Sequence, residues 1–146
     1  MSDPDFLRIS NPIWQSSGLN PVVIDVLSSK GITNFTPVQG EAFKPVLSGR
    51  DVIGRSRTGT GKTLAFGIPS LHRLVMLAEE KGLLDSFGRR RKGRNTSMLI
   101  LCPTRELARQ VQEELDDIAK PLGLFTTVFH GGVPYDSQVR ENSPFR

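Results

Sequence analysis

Apolar residues recur along this chain at two spacings, and the alternation between them predicts the order of its elements. Val22, Val23, Val26 and Leu27 fall at helical spacing behind Asn20, a fair N-cap, and ahead of Gly31, a fair stop, so a short helix is predicted over 21–30. Thr36 and Pro37 open a second helix, which runs through Val38, Ala42 and Phe43 to Leu47 before Gly49, with Pro45 bending its last turn. A third begins at Leu64 and ends at Lys81-Gly82. A fourth runs from Arg105 or Glu106 to about Lys120, with Leu107, Ala108, Val111, Leu115 and Ile118 on its inner face. Between them lie short apolar runs at 52–53, 98–102 and 126–130, which read as strands. The unbroken run Met98, Leu99, Ile100, Leu101, Cys102 has the pattern of a strand covered on both faces of a parallel sheet. Strands alternating with helices predict an α/β domain with a parallel sheet flanked by helices.

The remaining segments carry other signals. Residues 1–18 are mostly polar and are broken by Pro4, Pro12 and Gly18. Residues 82–97 contain Gly-Arg-Arg-Arg-Lys-Gly-Arg from Gly88 to Arg94, a run without apolar periodicity that reads as a solvated insertion in preference to a nucleic-acid contact. No internal repeat and no long linker divides the chain.

Composition narrows the class without deciding it. At 146 residues and 37% hydrophobic content, the chain has the size and apolar share of one packed domain. Nineteen Lys and Arg against fifteen Asp and Glu suit a polyanionic partner, though a solvated surface explains so small an excess equally well. A single cysteine, Cys102, excludes an intramolecular disulfide and suits a reducing compartment. No apolar stretch approaches the roughly 18 residues of a membrane span, so a soluble intracellular protein with no membrane partner is expected.

Chemistry concentrates at residues 51–63, Asp-Val-Ile-Gly-Arg-Ser-Arg-Thr-Gly-Thr-Gly-Lys-Thr. A short apolar run enters a glycine-rich turn and a helix follows, which is the order of a phosphate-binding loop. Gly59 and Gly61 let backbone N–H groups converge on phosphate oxygens in front of a helix N-terminus. Lys62 is placed to reach terminal phosphates, and the hydroxyl of Thr63 to bind Mg2+. Ser56 stands where the general G-x-x-x-x-G-K-[ST] pattern has its first glycine.

Three separate segments together resemble the DEAD-box ATP-dependent RNA helicase family. Residues 31–39, Gly-Ile-Thr-Asn-Phe-Thr-Pro-Val-Gln, resemble its Q motif, with Trp14 at the family's spacing for an upstream aromatic; the motif region spans 12–40. Ser56 to Thr63 matches the family's phosphate loop, in which Ala or Ser is common at the first position. Pro103-Thr104-Arg105-Glu106-Leu107-Ala108 resembles motif Ia, and Gly131-Gly132 with Gln138 has the spacing of the GG segment. Ile32 and Phe35 depart from the usual Phe and Pro but remain apolar. The resemblance implies an incomplete RecA-like P-loop NTPase domain over 31–146, preceded by an arm and first helix over 1–30.

It also implies roles. ATP would be held by Trp14, Gln39, Ser56, Arg57, Thr58, Gly59, Thr60, Gly61, Lys62 and Thr63, with Lys62 and Thr63 as the catalytic members and Thr63 on Mg2+. Gln39 has the donor and acceptor that adenine's N6 and N7 edge requires. Trp14 offers a face for adenine, or alternatively an anchor that pins the arm to the core. RNA backbone, without sequence preference, would meet Pro103, Thr104, Arg105, Gly131 and Gly132. The insertion at 82–97 and the Gly-Val-Pro-Tyr run at 132–135 resemble the nucleolar and organellar branch, with nucleus, nucleolus, cytoplasm or an organelle as the compartments implied.

The family's Asp-Glu-Ala-Asp and Ser-Ala-Thr segments and its second RecA-like domain do not occur in these residues, and Asn142 stands where an apolar residue is expected. ATP hydrolysis by this polypeptide alone is therefore not expected. Two readings follow: part of an ATP-dependent RNA helicase, or a non-catalytic nucleotide- and RNA-binding or inert product. Low stability is also expected, because RecA-like sheets draw the strands beside the phosphate loop from later in the chain.

Overall fold

The computed structural model describes residues 18–84 and 96–141. Trp14 and the rest of the arm, the basic run at 88–94 and the tail from Asn142 lie outside them. The described residues contain helices α1 (Pro21–Ser29), α2 (Pro37–Leu47), α3 (Lys62–Glu80), α4 (Arg105–Ala119) and α5 (Tyr135–Glu141). The first four follow the predicted periodicity to within a residue or two. The fifth was not anticipated, because seven residues carry too little pattern to be read as a helix.

Local chemistry sets the ends. Asn20 Oδ1 accepts from Val22 N at 2.9 Å, and Pro21 occupies the first turn of α1. At the other end Gly31, at φ +71°, lets its own N–H reach Ser28 O and that of Ile32 reach Leu27 O, both at 2.9 Å. These two bonds satisfy carbonyls that the helix leaves open and turn Ile32 back onto the core. Pro45 and Pro69 lie inside α2 and α3, where each removes one ladder donor.

Helix α3 is the hub. It packs most extensively on α2 and next on α4, while α1 also meets α4. Its buried residues Leu64, Ile68, Leu71 and Val75 join Val23 and Leu27 of α1, Phe43 of α2, and Val111, Leu115 and Ile118 of α4 in one cluster. Phe35 joins it with its ring 5.3 Å from that of Phe43. Lys30 is ion-paired with Asp117, which ties α1 to α4. The predicted inner face of α4 holds for Val111, Leu115 and Ile118. Leu107, however, is exposed and Ala108 only half-buried, because the first turn of α4 projects past the α3 contact.

The three expected strands form no ladder among the described residues. Burial nevertheless alternates along two of them. Met98, Ile100 and Cys102 are half-buried while Leu99 and Leu101 are exposed; Leu124, Thr126, Val128 and His130 are covered while Phe125, Thr127 and Phe129 are exposed. That period of two belongs to extended backbone lying on helices by one face. The expectation of cover on both faces of 98–102 is thus corrected to cover on one. Ile53 is fully exposed at 102%. The inner face of the second segment is fixed by polar contacts, since Gln112 Nε2 donates to Thr126 Oγ1 at 2.9 Å and that hydroxyl donates to Asp116 Oδ1 at 2.7 Å.

Candidate nucleotide and nucleic-acid site

The turn from Ser56 to Gly61 is built from its own hydrogen bonds. Thr60 Oγ1 donates to Arg57 O at 2.9 Å. A hydroxyl has one hydrogen, so Ser56 Oγ must be the donor in its 2.7 Å contact with Thr60 Oγ1. This gives Ser56 a definite task at the position where the general motif has glycine. Gly61 caps α3 at φ +81°, and a Cβ there would lie 2.3 Å from Gln39 Nε2. Both the backbone angle and the close approach require glycine. Gly59, at φ +77°, has nothing within 4 Å of a Cβ position, so its requirement is conformational.

Lys62 begins α3 and folds its ammonium back over the turn, donating to Ser56 O at 2.9 Å and to Arg57 O. Two carbonyls of the loop thus hold the cation that the sequence assigns to terminal phosphates. The hydroxyl of Thr63, half-buried one residue on, makes no hydrogen bond to another described residue. Glycine N–H groups at a helix N-terminus, a lysine over them and a free hydroxyl suit phosphate oxygens and a hard cation. No group of three or more His, Cys, Asp or Glu is assembled around a metal position among the described residues. Arg57 and Thr58 are exposed at the rim.

Gln39 couples the preceding segment to this loop. It is 3% exposed; its Oε1 accepts from Thr36 N at 3.0 Å and its Nε2 donates to Gly61 O at 3.2 Å. Thr36 adds a second strut, its Oγ1 donating to Thr60 O at 2.9 Å. Sequence reasoning gave Thr36 the duty of an N-cap and Gln39 that of an adenine reader, and missed that both brace the phosphate loop. Nothing in a linear pattern announces contacts between residues more than twenty apart. An amide carries two donors and two acceptor positions, and Gln39 spends one of each here.

A second cluster lies at the start of α4. Thr104 Oγ1 accepts from Leu107 N at 3.2 Å, so the N-cap reading holds, and Pro103, Thr104 and Arg105 are all exposed. A Cβ on Gly132, whose φ is +86°, would lie 2.8 Å from Arg105 Nη1, so the guanidinium lies against Gly132. The start of α4 and the turn at Gly132 are therefore neighbours. Buried Gln138 holds the glycine turn from beneath: its Oε1 accepts from His130 N at 2.9 Å, and its Nε2 donates to His130 O at 3.1 Å and Val133 O at 3.0 Å.

The family model for DEAD/DEAH box helicases matches residues 36–143. The chain belongs to the DEAD/DEAH box helicase family. It is 41% identical over 124 residues to a mitochondrial DEAD-box ATP-dependent RNA helicase 9 of Arabidopsis thaliana, covering 85% of this chain and 18% of that protein. It is 37% identical over 134 residues to Nucleolar RNA helicase 2 of Rattus norvegicus, covering 88% and 16%. Among solved structures it resembles the ADP-bound RNA helicase Prp28 of Chaetomium thermophilum, with a TM-score of 0.67 and 36% identity over 90% of this chain and 30% of that one. The fold is thus the RecA-like one expected, and the chain spans under a fifth of the length of the Arabidopsis and rat relatives. No helix among the described residues is long and apolar enough to cross a membrane.

Proposed function

We propose that this chain is part of the first RecA-like domain of an ATP-dependent RNA helicase, in which it binds an adenine nucleotide with Mg2+ and the backbone of RNA. The observation that carries the nucleotide half is the bracing of the phosphate loop by Gln39 and Thr36 through Gly61 O and Thr60 O. A loop held in that way offers its N–H groups without first having to be ordered. Lys62 exchanges the carbonyls of Ser56 and Arg57 for terminal phosphate oxygens, and Thr63 supplies its hydroxyl to Mg2+, the ion that neutralises charge on the phosphates. Gln39 keeps one N–H and one acceptor position, the complement of adenine's N7 and N6 edge. For Trp14, which lies outside the described residues, a stacking role on the same base is proposed from its spacing in the sequence alone.

RNA lies on Pro103, Thr104, Arg105, Gly131 and Gly132. Arg105 forks onto a phosphate, and the glycine pair, lacking side chains, lets the strand approach. Such contacts position a strand without reading its bases. These 146 residues contain no Asp-Glu-Ala-Asp segment, so hydrolysis is no part of what is proposed for this polypeptide. That the structural relative was solved with ADP supports the nucleotide assignment.

The adenine assignment is tested by displacement of a fluorescent ADP analogue in the presence of Mg2+. ADP and ATP should displace it and GDP should not. Equal displacement by GDP would contradict the role given to Gln39.

A further inference from the structure

We infer that Arg109, held in place by His130, is a second phosphate-contacting residue that extends the RNA track by one nucleotide beyond Arg105; the inference rests on the RNA assignment above. Arg109 lies four residues after Arg105 on α4, so both emerge from one face with Cβ atoms about 5–6 Å apart. Arg105 rests against Gly132, and Arg109 reaches the residue just before Gly131: its Nε donates to His130 Nε2 at 3.3 Å. The two arginines therefore flank the same glycine turn.

That hydrogen bond fixes the chemistry of His130. Nε2 accepts, so it carries no proton, and the proton of the neutral ring sits on Nδ1, from which it donates to Gly131 O at 3.2 Å. Gln138 clamps the backbone of His130 on both sides, at N and at O. A rigid backbone thus carries an oriented imidazole, which holds only the Nε of Arg109. The four N–H bonds on Nη1 and Nη2 have no hydrogen-bond partner among the described residues, and Arg109 is exposed. Neither Arg105 nor Arg109 is ion-paired among the described residues, although Glu106 and Glu113 lie on the same helix. Two unpaired guanidiniums, one bound to a positioning imidazole, are built to receive two neighbouring phosphates of a strand crossing the glycine turn.

The test is a salt titration of the 146-residue chain with a fluorescein-labelled ten-nucleotide oligouridine, read by anisotropy. Arg105→Ala and Arg109→Ala should each weaken binding roughly two- to fivefold at low salt. Each should also lower the slope of log K against log salt by about 0.7. Arg109→Lys should restore the slope but not all of the affinity. His130→Phe should keep the slope, because the charge remains, while weakening binding; His130→Gln, which returns an acceptor near the place of Nε2, should recover it. A loss from Arg105→Ala with none from Arg109→Ala would overturn the inference and leave the RNA assignment standing. A loss from Arg109→Ala alone would overturn the extension, since the track would not pass Arg105. No saturable binding by the unaltered chain would overturn the inference and the assignment together.

Discussion

His72 illustrates how a single residue outside either site sets a condition on the fold. It is one of two histidines, is buried in α3, and its Nδ1 accepts from Asn20 N at 3.4 Å. Burial lowers its pKa from the usual histidine value. Above about pH 6.5 both folded and unfolded chains carry the neutral ring and no cost arises. As pH falls from there toward the lowered folded value, the unfolded chain takes up the proton first, and stability is lost through that window. The melting temperature should therefore drop between pH 7.5 and 5.5, and His72→Gln should flatten the drop. An unchanged pH dependence in that variant would assign the acid sensitivity elsewhere. Residue-scale chemistry was only half legible in the sequence. The types at Lys62, Thr63 and Arg105 suggest the chemistry proposed for them, whereas the partners of Gln39, Thr36 and the His130 ring exist only once distant segments meet.

Among elements, the pairing of α3 with α4 determines how the phosphate loop stands relative to motif Ia. The two helices approach closely at Gly67, where a Cβ would lie 2.2 Å from Cδ2 of buried Leu115. Alanine in mid-helix gains about 1 kcal/mol of propensity over glycine, whereas overpacking a filled core costs about 1–3 kcal/mol. The second effect should win, so Gly67→Ala is expected to destabilise by about 1 kcal/mol, and Leu115→Ala in the same chain should relieve part of it. A raised melting temperature would show that α3 and α4 do not approach so closely. Helices were the most legible elements: caps at Asn20, Thr36 and Thr104 and stops at Gly31, Gly49 and Gly82 mark their ends in the sequence. Strands were less so. The runs at 98–102 and 126–130 have the right residues and keep a period of two, but a ladder needs a neighbour, and no such pairing occurs among the described residues.

For the whole molecule, the helices bury one cluster on one side, while Ile53, Leu99, Leu101, Phe125 and Phe129 are exposed. Large apolar side chains outward at alternate positions of an extended segment form a surface of the kind that a packed partner layer covers. The fold class was readable because three motifs fell in family order; how much of the sheet these residues assemble was not, since periodicity reports the burial a segment suits and not its partners. The role proposed for the loop from Ser56 to Thr63 is that of a preassembled phosphate cradle keyed by Lys62 and braced by Gln39. It is tested most directly by calorimetric titration of the chain with ADP and Mg2+. Saturable binding is expected, weakened roughly 10- to 100-fold by Lys62→Ala, which removes a charged hydrogen-bond donor, and also weakened by Gln39→Ala. Equal binding by all three chains, or none from a cooperatively melting sample, would contradict it.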